Sequence, residues 1–133
     1  MKIGEAAKRS GVNAKTIRYY ESIDLVTPAA RRDNGYRDYG MTDVQKLRFI
    51  HSSRSLGFAI DDIRALLSLW EDQSRASSDV RALAKRHCAD IDTRIKELQA
   101  IRETLTTLIV ACKGDHRPDC PILEKLGTGA ISP

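Results

Sequence analysis

Two cysteines, Cys112 and Cys120, stand on either side of the seven residues Lys113-Gly114-Asp115-His116-Arg117-Pro118-Asp119. Two thiols on one short Gly/Pro/Asp-rich loop can bind a soft metal ion, close a disulfide, or do neither. With His116 between them a thiol enzyme is also conceivable, but a catalytic cysteine needs a positioned base. His116 sits in a Gly/Pro loop with no orienting partner evident, so an enzyme is not expected. Cys88 makes the cysteine total odd, which argues against a secreted disulfide framework and for free thiols in a reducing, cytoplasmic setting. Cys88 itself reads as a small buried apolar residue.

The element that delivers Cys112 is long. Ser77-Ser78-Asp79 form an N-cap cluster, and no Gly or Pro follows until Gly114. A helix over 77–111 is predicted, far longer than the ~11–12 residue average. Ala84, Ile91, Leu98 and Leu105 recur seven apart, with Val80, Ile95, Ile101 and Leu108 between them. A heptad seam on a lone helix needs a second helix, and another copy of the chain is the simplest partner, giving a homodimer. Cys112 continues that heptad, so the first thiol falls where the seam ends. After Cys120, a short helical turn is expected over Pro121–Leu126, then a frayed tail.

The charge balance points to the other end of the chain. The formal net charge is +4, and residues 1–54 carry 11 Lys/Arg against 6 Asp/Glu. A basic N-terminal part suggests an anionic partner, nucleic acid first. No apolar run approaches the ~18–20 residues of a membrane span, and no charged-then-apolar leader is seen, so no membrane partner is expected.

That basic part begins with a helical pattern over Ile3–Ser10, then Gly11-Val12-Asn13, then a second pattern over Ala14–Ile23. Gly11 suits a left-handed helix end and Asn13 an N-cap. Two short helices around such a turn form a helix-turn-helix, whose second helix enters the DNA major groove. Lys15, Arg18, Tyr19 and Tyr20 on that helix are the candidate contacts, with Lys15 and Arg18 favoured for base edges. Asn34-Gly35 is a strong hairpin signal. Arg31 and Arg37 flank it, and with Asn34, Gly35 and Tyr36 they form a candidate basic wing for backbone phosphates.

Thr42-Asp43-Val44-Gln45 reads as a capping box with Thr42 as N-cap. It opens a helix to about Leu56 that faces Val44, Leu47, Ile50 and His51 inward and carries Arg54, another candidate phosphate contact. Ile60–Trp70 is a further helix with Ile63, Leu66, Leu67 and Trp70 on one face. The organisation expected is therefore a winged helix-turn-helix with supporting helices over 1–70, a polar linker over 71–76, a dimerisation helix over 77–111, and a metal-binding loop with tail over 112–133.

These features together resemble the MerR family of transcription regulators. Arg18-Tyr19-Tyr20-Glu21 and Asn34-Gly35-Tyr36-Arg37-Asp38-Tyr39, in this order, carry the likeness, which spans nearly the whole chain. The terminal Cys112-Lys113-Gly114-Asp115 and Asp119-Cys120-Pro121-Ile122 are similar to its copper-responsive, CueR-like branch. The resemblance implies a homodimer on double-stranded promoter DNA that engages RNA polymerase only through the DNA. It also implies that Cys112 and Cys120 bind a monovalent coinage-metal ion, Cu(I) first, with Ag(I) or Au(I) by the same chemistry. Divalent-ion sensors of the family carry a further cysteine where Ser77 stands here. Zinc prefers four ligands, whereas two soft thiolates suit Cu(I). A Cys112–Cys120 disulfide switch and a divalent sensor are the alternatives. The family usually has glycine where Asp24 stands, and Asp is expected to take the left-handed conformation there.

Overall fold

The computed structural model describes residues 1–30, 35 and 37–129. Six helices follow in order: α1 (Ile3–Ser10), α2 (Ala14–Ser22), α3 (Met41–Ser55), α4 (Ile60–Glu71), α5 (Ser77–Ala111) and α6 (Pro121–Thr128). The chain divides into two compact units, Met1–Leu83 and Ala84–Pro133.

The first unit is a helical head built on local rules. Gly11 ends α1 at φ +79, and its N–H donates to the Ala7 carbonyl at 3.0 Å. Two residues later the Asn13 side chain accepts the Thr16 N–H at 2.8 Å and starts α2. Asp24 sits at φ +56, the one non-glycine residue with positive φ among those described. Arg64 of α4 donates to the carbonyls of Ile23 and Asp24, each at 3.0 Å, and holds this left-handed turn.

The start of α3 differs from its sequence reading. Its N-cap is Gly40, not Thr42, and the Asp43 carboxylate accepts the Gly40 N–H at 2.8 Å. Thr42 is therefore inside the first turn. Asp is the shorter acceptor and reaches back from the third helical position, so the reciprocal half of the expected box forms two residues earlier. α3 and α4 are joined by Lys46–Glu71 at 2.9 Å and by the stacking of Phe49 on Trp70, with centroids 4.6 Å apart.

The head's core gathers Ala6, Val12, Ile17, Tyr20, Leu25, Tyr39, Val44, Leu47, Ile50, Phe58, Ile63, Leu67 and Leu83. Ile17, Val44, Ile50 and Ile63 are fully enclosed. The periodic faces of α1 to α4 thus meet as expected, with one exception. His51 is exposed although it shares the stripe of Val44 and Leu47, and its ring lies beside Gly11.

In the second unit α5 runs to Ala111 and its apolar residues are mostly exposed within the chain. Cys88 is exposed within the chain, not buried as its residue type suggested. α6 is longer than the expected turn. It continues through Gly127 to Thr128 and ends on Gly129 at φ +69.

Candidate nucleic-acid surface and thiol loop

The outer face of α2 carries Lys15, Arg18 and Tyr19, all exposed. Tyr19 is 53% accessible, whereas Tyr20 beside it is 7% and belongs to the core. Tyr20 is thus corrected from an exposed contact to a core residue. It lies three positions after the enclosed Ile17, and i, i+3 neighbours share a helix face. Arg18, Gly35 and Arg37 line one open cleft of about 830 Å³, together with Lys2 at the head of α1. Lys2 was not among the residues singled out by sequence. Gly35 takes φ +83, the conformation its turn requires. Behind it, the Asp38 N–H donates to the Ala30 carbonyl at 2.8 Å, closing the segment at its base. Arg31, Asn34 and Tyr36, the other expected wing contacts, lie outside the described residues.

Two arginines expected to face an outside partner have partners inside the head. Arg54 donates to the Phe58 carbonyl at 3.2 Å, across the Gly57 turn. Arg37 donates to the Glu21 carboxylate, and the Tyr39 hydroxyl donates to the other Glu21 oxygen at 2.5 Å. Glu21 is buried, and burial followed by the bond to Glu21 raises the Tyr39 phenol above its ordinary value. Sequence reasoning passed over Glu21, although its spacing of four from Ile17 placed it on the inward face.

The thiol loop lies wholly within the second unit. Cys112 follows the last residue of α5 but keeps helical pairing, its N–H donating to Leu108 at 3.0 Å and Ile109 at 3.1 Å. Gly114 at φ +66 turns the chain out of that helix. Asp115 then accepts the Arg117 N–H at 3.0 Å and its Nε at 2.8 Å. The Arg117 guanidinium first, and its N–H second, hold the Asp115 carboxyl below the usual range. Cys120 is the N-cap of α6, with its carbonyl accepting the Glu124 N–H at 3.0 Å and Pro121 at the first helical position.

Both cysteines are half-buried, while 113–119 are exposed. Among the described residues no three His, Cys, Asp or Glu side chains converge. Two thiols by themselves suit a soft ion of low coordination number better than tetrahedral zinc, which prefers four ligands. The first-turn N–H groups of Ile122 and Leu123 at the start of α6 have no acceptor within their own helix and are oriented as anion donors.

The family profile described as "MerR HTH family regulatory protein" matches residues 1–70, and "MerR, DNA binding" matches residues 44–108. The chain belongs to the MerR family. This MerR-family chain is a DNA-binding transcription regulator and not an enzyme. It is 56% identical to the HTH-type transcriptional regulator HmrR of Rhizobium leguminosarum bv. viciae, over 98% of this chain and 100% of that one. The HTH-type transcriptional regulator CueR of Yersinia pestis is 40% identical, over 95% of this chain and 91% of its own. Among solved structures it is similar to the regulator PbrR691 from Ralstonia metallidurans CH34, crystallised with lead(II). The TM-score is 0.82 at 34% identity, covering 95% of this chain and 98% of that one. No helix of the described residues is long and apolar enough to cross a membrane.

Proposed function

We propose that this MerR-family chain is a metal-responsive transcription activator. It takes a monovalent coinage-metal ion, Cu(I) foremost and Ag(I) or Au(I) by the same chemistry, on Cys112 and Cys120. The carrying observation is a pair of half-buried cysteines framing one short loop, with no third His, Cys, Asp or Glu converging on them among the described residues. The likeness to HmrR and CueR supports it. The lead(II) of the PbrR691 crystal belongs to that relative, and Ser77, where divalent sensors of the family have cysteine, favours a monovalent ion here.

Each residue then has a role. Cys112 and Cys120 ligate as thiolates. Two thiolates around a monovalent cation leave one net negative charge, which the Ile122 and Leu123 N–H groups and the N-terminal dipole of α6 offset. α5 pairs with α5 of a second copy through Ile91, Ile95, Leu98, Ile101 and Leu105, making a homodimer in the cytoplasm. In each head Lys15, Arg18 and Tyr19 meet the major groove of double-stranded promoter DNA. Gly35 with Arg31, Asn34 and Tyr36 follows the backbone, and Arg54 stands near it. Activation works by deforming the promoter, at a cost of order 1–6 kcal/mol, so RNA polymerase responds to DNA shape and needs no direct contact.

The test is titration of the fully reduced protein with Cu(I) against a strong chelating competitor, beside a reporter assay with Cu, Ag, Au, Zn and Hg salts. Tight 1:1 binding per chain that Cys112→Ser or Cys120→Ser abolishes, with DNA affinity retained, is expected. Affinity no greater than that of free thiols, or a response that survives in metal-free oxidant, points to a disulfide switch and sinks the metal reading.

A further inference from the structure

The head contains a buried polar cluster beside its apolar core. Glu21, in the last turn of α2, is 4% exposed, and Tyr39 is likewise 4% exposed. The Glu21 carboxylate accepts from the Arg37 guanidinium on one oxygen and from the Tyr39 hydroxyl on the other, at 2.5 Å. The Tyr39 backbone N–H donates in turn to the Met1 carbonyl at 2.7 Å. A carboxylate this buried is tolerated only with its charge paired and its lone pairs filled. Arg37 provides that charge from 16 residues away in sequence, while its side chain stays 32% exposed.

These contacts join two parts that the proposed DNA surface needs in register: α2, which carries the exposed Lys15, Arg18 and Tyr19, and the segment that follows the Gly35 turn. We infer that Glu21, Arg37 and Tyr39 form a latch that fixes the base of the wing to the recognition helix, and that Arg37 is a positioning residue and not a phosphate contact. An Arg37 that left Glu21 to grip phosphate would strip that buried carboxylate of its cation. The latch rests on the proposed use of α2 and the wing for DNA.

The two uses predict opposite signs for one substitution. As a latch partner, Glu21→Gln loosens the wing and weakens DNA binding. If Arg37 grips phosphate instead, Glu21→Gln frees a cation and leaves binding equal or tighter. The probe is a duplex selected by the wild-type chain from a random-sequence pool, bound over a salt series. The latch requires Glu21→Gln and Arg37→Gln each to weaken binding about tenfold, and the double variant to be no worse than either. The salt slope of Arg37→Gln should match wild type, since losing a phosphate contact reduces it by about 0.9 per site. Tyr39→Phe, which keeps its ring in the core, should weaken binding severalfold and decides the matter if Glu21→Gln fails to melt cooperatively. A reduced slope for Arg37→Gln, with unchanged or tighter binding by Glu21→Gln or Tyr39→Phe, overturns the latch. Arg18→Ala separates the two claims. If it too binds normally, the proposed α2 surface fails; if it alone loses affinity, only the latch does.

Discussion

The two units of the chain use apolar residues in opposite ways. In Met1–Leu83 the periodic faces of α1 to α4 close on one another, and Ile17, Val44, Ile50 and Ile63 are shut away from solvent. In Ala84–Pro133 Leu108 is the only buried apolar residue among those described, while Leu98 is 64% and Ile109 60% exposed. A continuous exposed apolar stripe of this length marks a surface meant to be covered. The head buries its apolar faces on its own contacts, whereas the stripe along α5 stays open within one chain. The proposed sensing loop then stands at the end of the uncovered stripe, and the proposed reading surface on the self-packed head.

That contrast can be broken at five places, in falling order of effect. Leu98→Asp with Leu105→Asp should leave the chain monomeric by sedimentation equilibrium. Losing bivalent engagement should then lower DNA affinity by at least ~100-fold, with the head's melting transition unmoved. A dimer surviving both charges would mean the exposed stripe is not the seam.

Ile50→Ala should do the reverse. It opens a cavity in the head, costing about 3 kcal/mol in urea unfolding, while the dimer persists. A loss under 1 kcal/mol would show the head core to be looser than its burial indicates. Arg64→Ala removes two donors from the Ile23–Asp24 turn. It should cost roughly 1 kcal/mol, in the head alone, and an unshifted midpoint would show the turn needs no clamp.

The smallest effect is in pH. Tyr39 has its folded pKa raised by burial and by Glu21. Its contribution is complete below the ordinary tyrosine value and is lost as pH rises through the raised one. Head stability should fall in alkali, and Tyr39→Phe should flatten that slope. Asp115 is shifted the other way by Arg117, so order in the thiol loop should fade as acid passes through its lowered value, with no change in the head. Chemical shifts of the loop amides read this directly.

Much of the head was legible because its determinants are local. Gly11 and Asn13 announce the turn between α1 and α2, and each does in the structure what its side chain, or lack of one, dictates. Asp24 was expected to accept positive φ and does. The length of α5 followed from an unbroken stretch without Gly or Pro. Where reading failed, two local choices were close in energy. Gly40 and Thr42 both lie at the start of α3, and the reach of Asp43 selected the earlier cap. Tyr19 and Tyr20 are identical neighbours, and the period from Ile17 assigns the second to the core, a signal that was present but unused. Cys88 could not be placed from residue type, because its burial depends on what lies across α5.

By itself the sequence determined the helices, the turn chemistry, the seam and the two thiols, since each is specified within a few residues or by a repeat along one helix. Only the tertiary structure decided the partners of the charges. Arg37 and Glu21 look in sequence like independent surface ions, one basic residue on a wing and one acid at a helix end. Folding brings α2 and the segment around Tyr39 together and removes water from between them. A carboxylate deprived of water must then take the nearest cation, and no pattern along the chain shows which cation that is.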